Sequence, residues 1–346
     1  MKKTAIMTVI VAAALMGCGS DDGPVGPADV VYWDVAWSSP DTILTDIEML
    51  GEKSGWACGY RYNETTGTYD GLIYRYAGDT WDVAHFMPAE MGAKLMGIDF
   101  LAGNDGWAVG NRMAEGGMEM PVILHYDGET WNEVFAEGLN SGPLKLLAAV
   151  GENDVWVSDG FNSFHYDGIW WSWFPLAVGT DVDRWVFPNA QTGWAVSYRS
   201  GYCYRWDSVL GFWVLESQPL YDATAFHFRA DGSGVYADYA NTPPVAERAN
   251  VYWREAAEVP TYRRIYSTGV PRRLTACDYL PPDYFFFAGP NAAFEVVEGN
   301  VNPLGYLPPS GLGTLRAISI AAQGDVWGIM GQSLNEGPSF IVHKEM

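Results

Sequence analysis

The chain predicts an all-β fold: a seven-bladed β-propeller of four-stranded blades, its ring closed by an N-terminal strand that completes the last blade. Three observations carry this. A unit of about 40 to 50 residues recurs along the 346-residue chain. Each copy holds an anchor like Gly-Trp-Ala-Val-Gly, followed by two short β-forming runs pinched at a turn. The last copy ends one strand short, and a matching strand stands at the other end of the chain.

The unit is clearest between Gly103 and Phe135. Its anchor is GWAVG (Gly106 to Gly110), and its hairpin is VILHYDGETW (Val122 to Trp131), turning at Asp127-Gly128. Asp-Gly between β-formers marks a hairpin because a tight turn needs residues that tolerate positive φ. The same pairing recurs as GWACG at 55–59 with LIYRYAGDTWDVAH at 72–85, DVWVS at 154–158 with FHYDGIWWSWF at 164–174, and GWAVS at 193–197 with CYRWDSVLGFWVLE at 203–216. Weaker copies are GVYAD at 234–238 with VYWREAAEV at 251–259, DYFFFAG at 283–289 with AFEVVEGN at 293–300, and DVWGIMG at 325–331 with FIVHKEM at 340–346. The anchors are Trp56, Trp107, Trp156, Trp194, Tyr236, Phe286 and Trp327. An apolar run precedes each anchor, as in LKLLAAV at 144–150 and LRAISIA at 315–321. Four strands per unit at this period is the arithmetic of a propeller blade. Helical periodicity is absent.

The seventh unit stops after its third strand. YWDVAW (Tyr32 to Trp37) matches TWDVAH at 80–85 and supplies the missing piece, removing an open sheet edge.

Residues 1–17 read as a secretion signal: Lys2 and Lys3, an apolar run, then Leu15-Met16-Gly17-Cys18. That ending resembles the lipobox of bacterial lipoproteins, which implies that Cys18 is lipidated and begins the mature protein. Gly19, rather than Asp, after the Cys implies the outer membrane, with the protein facing either the periplasm or the outside. Residues 18–29 form a Gly, Pro and Asp tether, and residues 30–346 a single propeller domain. The net charge of −22, from 42 acidic and 20 basic residues, excludes nucleic acid and anionic lipid as partners. Cys58, Cys203 and Cys277 fall in different blades, which predicts buried thiols rather than a disulfide framework.

The recurring GWAVG and DG-x-TW elements resemble two propeller groups, the bacterial Asp-box repeat proteins and the photosystem II assembly and stability factor. The resemblance spans the mature chain and implies the propeller fold. The Asp-box pattern is Ser-x-Asp-x-Gly-x-Thr-Trp, whereas Asp127-Gly128-Glu129-Thr130-Trp131 is one residue shorter and Ala77-Gly78-Asp79-Thr80-Trp81 lacks the Asp. The propeller lipoprotein of the outer-membrane β-barrel assembly machinery is similar in anchor and fold class, and offers an analogy of role.

His125, His165 and His343 share one repeat position, held by Arg75 and Arg205 in two other units. Equivalent positions in separate blades lie too far apart for one metal ion, so a structural role is expected. No catalytic residue, metal or cofactor is expected. Trp170 and Trp173 admit sugar stacking, but packing between blades is the preferred expectation; Met87, Met91, Met96, Met113, Met118 and Met120 admit an adaptable protein-binding surface or a Cu(I) site, with packing within loops preferred.

A basic residue stands 10 to 13 positions before the anchor in five of seven units: Lys94, Lys145, Arg184, Arg273 and Arg316. By chance, 18 basic residues in 317 positions would fill such a window in about 1.6 units. This position is where the innermost strand begins, which predicts a positive collar at one mouth of the channel, its charge either offset by the protein's own Asp and Glu or open to an anionic ligand. The loops between second and third strands on that face look long, at 332–339, 60–71, 111–121 and 239–250. The assembly-factor resemblance also implies an arginine-rich partner-binding patch.

The expected function is a binding or scaffolding module, monomeric and membrane-held by its lipid alone, for an envelope protein or anionic glycan. The alternative is a sialidase- or lyase-like glycan-processing enzyme at the channel mouth. Such a site needs an arginine cluster facing a Tyr/Glu pair in the channel. Tyr262, Arg263, Arg264 and Tyr266 have that composition, but fall in an expected outer strand.

Overall fold

Strands such as Gly106–Gly110 carry apolar groups on both faces, so each sheet must lie between two others; repeated seven times, that requirement closes a ring. The computed structural model describes residues 30–114, 116–136, 139, 142–176, 181–198, 200–216, 220, 223–240, 248–256, 261–267, 274–289, 292–307, 312–331 and 338–344. Cys18 and Arg273 lie outside the described residues.

Seven antiparallel sheets follow one another in chain order. Blades one to six span residues 42–87, 94–133, 146–175, 184–215, 223–267 and 276–307. Blade seven combines residues 314–344 with the N-terminal strand Asp34–Ser39, which lies antiparallel to Ser339–Lys344. The closing strand thus starts two residues later than YWDVAW suggests. Val30–Tyr32 instead adds in parallel to Asn300–Leu307, as a fifth strand on the outer edge of blade six. The N-terminal segment therefore ties two blades together.

The core is seven apolar layers, one between each pair of neighbouring blades. The repeat motif is explained by that packing. Anchor Trp56, Trp107, Trp156, Trp194 and Trp327 sit on second strands and are at most 3% exposed. In blades one, two and four the tryptophan of the fourth strand reaches back to the preceding anchor: Trp131 lies 5.7 Å from Trp56, Trp81 5.9 Å from Trp327, and Trp213 6.1 Å from Trp156. A Gly-Trp-Ala anchor and a Thr-Trp pair are therefore two halves of one interblade contact. The last glycine of the anchor has a steric cause: a Cβ at Gly59 or Gly110 would stand about 2 Å from the innermost-strand carbonyl of Ile43 or Lys94. Gly128, at φ +97°, allows the Asp127 turn, whose carboxylate accepts the amides of Glu129 and Thr130 at 2.9 and 2.8 Å.

Two expectations are corrected. The segments 60–71 and 111–121 are mostly strand, because pairing continues out to Asn63↔Thr68 and Met113↔Glu119 and lifts both hairpins above the ring. Trp170 and Trp173 are 63% and 59% exposed rather than packed between blades. Trp170 sits in the turn, and the interblade space is filled by Trp171 towards blade two and Phe174 towards blade four. Cys58, Cys203 and Cys277 are free thiols, the first two buried.

Candidate partner-binding face and the channel beneath it

Because the innermost strands run side by side around the axis, residues at their first positions converge. Lys94 and Arg184 open the innermost strands of blades two and four, Lys145 immediately precedes that of blade three, and Arg316 is the third residue of that of blade seven. Arg184 reaches far across the mouth: its Nη2 donates to the carbonyls of Thr275, immediately before blade six, and Arg316 at 3.2 and 3.3 Å. Arg316 Nη1 in turn donates to the Leu44 carbonyl of blade one at 3.3 Å. The Lys94 ammonium lies 4.1 Å from the Tyr69 ring, and Lys145 is 3.8 Å from Asp181. The cations at the centre thus bind backbone carbonyls, which leaves their formal charge in place.

Around this mouth the raised hairpins of blades one and two expose Tyr62, Met113, Met118 and Met120. Met87, at the end of strand Trp81–Met87, and Met91 pack below, against Ala93 and Leu95, whereas the exposure of Met113, Met118 and Met120 departs from the expected packing within loops.

Beneath the collar lies a feature that sequence reasoning missed. Asp46, Glu48, Asp99 and Asp278 converge on a channel cavity of about 250 Å³ that Arg184 and His227 also line. Burial raises the carboxyl of Asp46 to about 6, of Asp99 to about 7 and of Asp278 to about 6. Glu48 is pushed well above its ordinary value, first by burial and then by Asp99, Asp278 and Asp46.

Three of these side chains staple blades together. Asp99 accepts the Ala149 amide of blade three at 2.8 Å, Asp278 the Ile320 amide of blade seven at 2.8 Å, and Asp46 the Ile98 amide of blade two at 3.1 Å. Ser319 does the same for the Met49 amide at 2.8 Å. Glu48 has no side-chain hydrogen bond or ion pair among the described residues. A sequence signal existed: Glu48, Asp99, Asp278 and Ser319 each stand eight residues before their anchor, opposite it in the strand register, inside otherwise apolar runs.

The repeat-position histidines are structural pairs. His125, His165 and His343 stack on Trp107, Trp156 and Trp327 and hydrogen-bond Asp105, Asp154 and Asp325 at 2.9, 2.8 and 2.7 Å. Tyr262, Arg263, Arg264 and Tyr266 occupy the outermost strand of blade five, Tyr262–Ser267, away from the channel.

No protein-family model matches the chain, and no curated protein does. Solved structures share its fold. YCF48 bound to a D1 peptide superposes with a TM-score of 0.65 at 13% identity, over 92% of this chain and all of that one. YCF48 from Cyanidioschyzon merolae gives 0.63 at 13% identity over 90% and 98%. A catalytically inactive virginiamycin B lyase from Staphylococcus aureus, with quinupristin, gives 0.65 at 11% identity over 91% and 100%. The RRP9 WD40 repeats give 0.66 at 10% identity over 92% and 99%. At such identities the likeness establishes a seven-bladed propeller and nothing narrower.

Proposed function

We propose that the protein is a lipid-anchored, non-catalytic binding propeller of the bacterial outer membrane whose collar face holds an acidic segment of an envelope protein. The observation that carries this is a cationic mouth on a chain of net charge −22, ringed by exposed methionines and a tyrosine. Cations held together in a concave mouth focus field on an approaching anion, and methionine adapts to varied apolar contacts. An acidic, partly apolar peptide fits both. A glycan supplies the charge but makes poor use of the methionines. The propeller likeness to YCF48, which has been seen with a D1 peptide, agrees with a peptide-holding role.

Two variants test the proposal in the native membrane. Cys18→Ser is expected to move the protein to the soluble fraction and end fatty-acid labelling; a labelled, membrane-held Cys18→Ser protein contradicts the anchor. Lys94→Glu combined with Lys145→Glu spares the arginines that tie blades together. It is expected to weaken partner capture by roughly 10-fold or more and to flatten its salt dependence. Unchanged capture by a folded double variant contradicts the collar.

A further inference from the structure

A second site lies at the outer ends of blades one and two, where their hairpin turns meet. A cleft of about 570 Å³ opens there, lined by Trp56, Arg75, Ala77, Asp82, Ala84, His85, Tyr126, Glu129 and Trp131, among others. Its origin is visible by comparing blade one with blade four, which carries an arginine at the same repeat position. Arg205 is held by Asp207 at 3.5 Å and Glu216 at 3.4 Å. The residue two positions after the arginine is Asp207 in blade four and Ala77 in blade one.

The equivalent of Glu216 follows from register. Glu216 donates its amide to Cys203, two residues before Arg205, and the residue opposite Ile73, two before Arg75, is His85. Val134 and Phe174 occupy this place in blades two and three, where Phe174 fills the cleft against Trp156 and Trp206. In blade one a bulge at Ala84 and the two replacements leave the cleft open. Arg75 rests 5.2 Å from the Trp56 ring with no carboxylate at ion-pair distance among the described residues. Asp82, its cross-strand neighbour, instead accepts a hydrogen bond from Thr80 at 2.8 Å. Burial lowers the His85 imidazole, so it is neutral at physiological pH.

We propose that this cleft takes an extended peptide strand whose acidic side chain occupies, on Arg75, the place that Glu216 holds on Arg205. Two observations select a peptide. The outermost strand of blade one, Trp81–Met87, is a seven-residue edge with Val83 and Phe86 exposed, whereas that of blade two, Trp131–Glu133, has only three residues. An edge of that length offers a row of free backbone groups for strand addition. The ring itself shows the geometry, because Val30–Tyr32 adds as a fifth strand to blade six. The buried faces of Trp56, Tyr126 and Trp131 leave no ring free to stack on a sugar. The site is separate from the collar and stands or falls independently of it.

The test uses fluorescence anisotropy with a labelled pentapeptide, Val-Thr-Glu-Thr-Val, and its Gln counterpart. The Glu peptide is expected to bind, and either its Gln replacement or Arg75→Gln to weaken binding about tenfold or more, as loss of a charge-assisted hydrogen bond does. His85→Glu supplies the missing acid internally and is expected to remove binding while keeping the wild-type melting temperature. Equal binding of the Glu and Gln peptides overturns the proposal. So does no binding at about 1 mM, the weak end of specific recognition, or binding of an oligogalacturonate with none of the peptide.

Discussion

A chain beginning at Asp41 is expected to lose the cooperative melting of the full ring and to associate through the bared edge of Ser339–Lys344. Three consequences of its absence add up. Blade seven loses its fourth strand, which leaves the outward-facing amides and carbonyls of 339–343 unpaired while those facing Asp325–Gly331 keep their partners. Trp33, 4% exposed, leaves the layer between blades six and seven, where it meets Phe286 edge-on at 6.2 Å. Trp37 leaves the face of Tyr74. Trp33→Ala alone is expected to cost about 3 to 5 kcal/mol, the usual range for emptying an aromatic site in a core. Thermal unfolding followed by circular dichroism, with light scattering, checks both. A monomeric chain from Asp41 that melts with the wild type contradicts closure by this segment.

The second large effect is expected at Glu48, and it depends on pH. Carboxyls raised above their unfolded values bind protons more tightly in the folded state, so their contribution is complete below about pH 4 and is lost as pH rises through the folded values. For Asp46, Asp278 and Asp99 that loss runs up to about pH 6, 6 and 7, and Glu48, pushed well above its ordinary value by burial and by these neighbours, adds to it in the same direction. His227 opposes this: burial, then Arg229, lowers it to about 3, so it adds stability as pH rises towards its ordinary 6.5. Arg184 faces the same cavity. Above pH 6.5 the carboxyls alone remain, and the melting temperature is expected to fall between pH 6.5 and 8. Glu48→Gln removes the carboxyl that carries no hydrogen bond. It is expected to raise the melting temperature at pH 8, where the folded state otherwise holds a buried charge beside three other carboxyls, and to change it little at pH 5. A variant less stable than wild type at pH 8 contradicts this.

Much of the fold was legible because the propeller repeats one packing solution. Trp56 and Trp131 look conspicuous in sequence because they are the two sides of an interblade contact, and Trp327 with Trp81 and Trp156 with Trp213 repeat it at two other junctions. The exact start of the closing strand was less legible, since Tyr32 and Asp34 belong to different sheets although the sequence between them is continuous. Hairpin height escaped notice for a similar reason: Asn111 to Pro121 contains glycine and methionine, poor strand markers, yet pairs to Met113 because its partner continues. The collar was visible as a spacing. The channel carboxylates were not, because single acids at 48, 99 and 278 become a cluster only when the ring brings distant blades to one axis. The cleft at Arg75 required seeing that Ala77 and His85 replace acids that another blade retains.

The central claim is that partners are held at the collar face. Site-specific photo-crosslinking from the intact membrane tests it most directly, with the crosslinker placed at Met118 on the raised blade-two hairpin or at Glu152 in a turn on the opposite face. The account predicts a discrete adduct from Met118 that disappears with Lys94→Glu and Lys145→Glu, and none from Glu152. An adduct from Glu152 alone, or one from Met118 that survives the charge reversals, would contradict it.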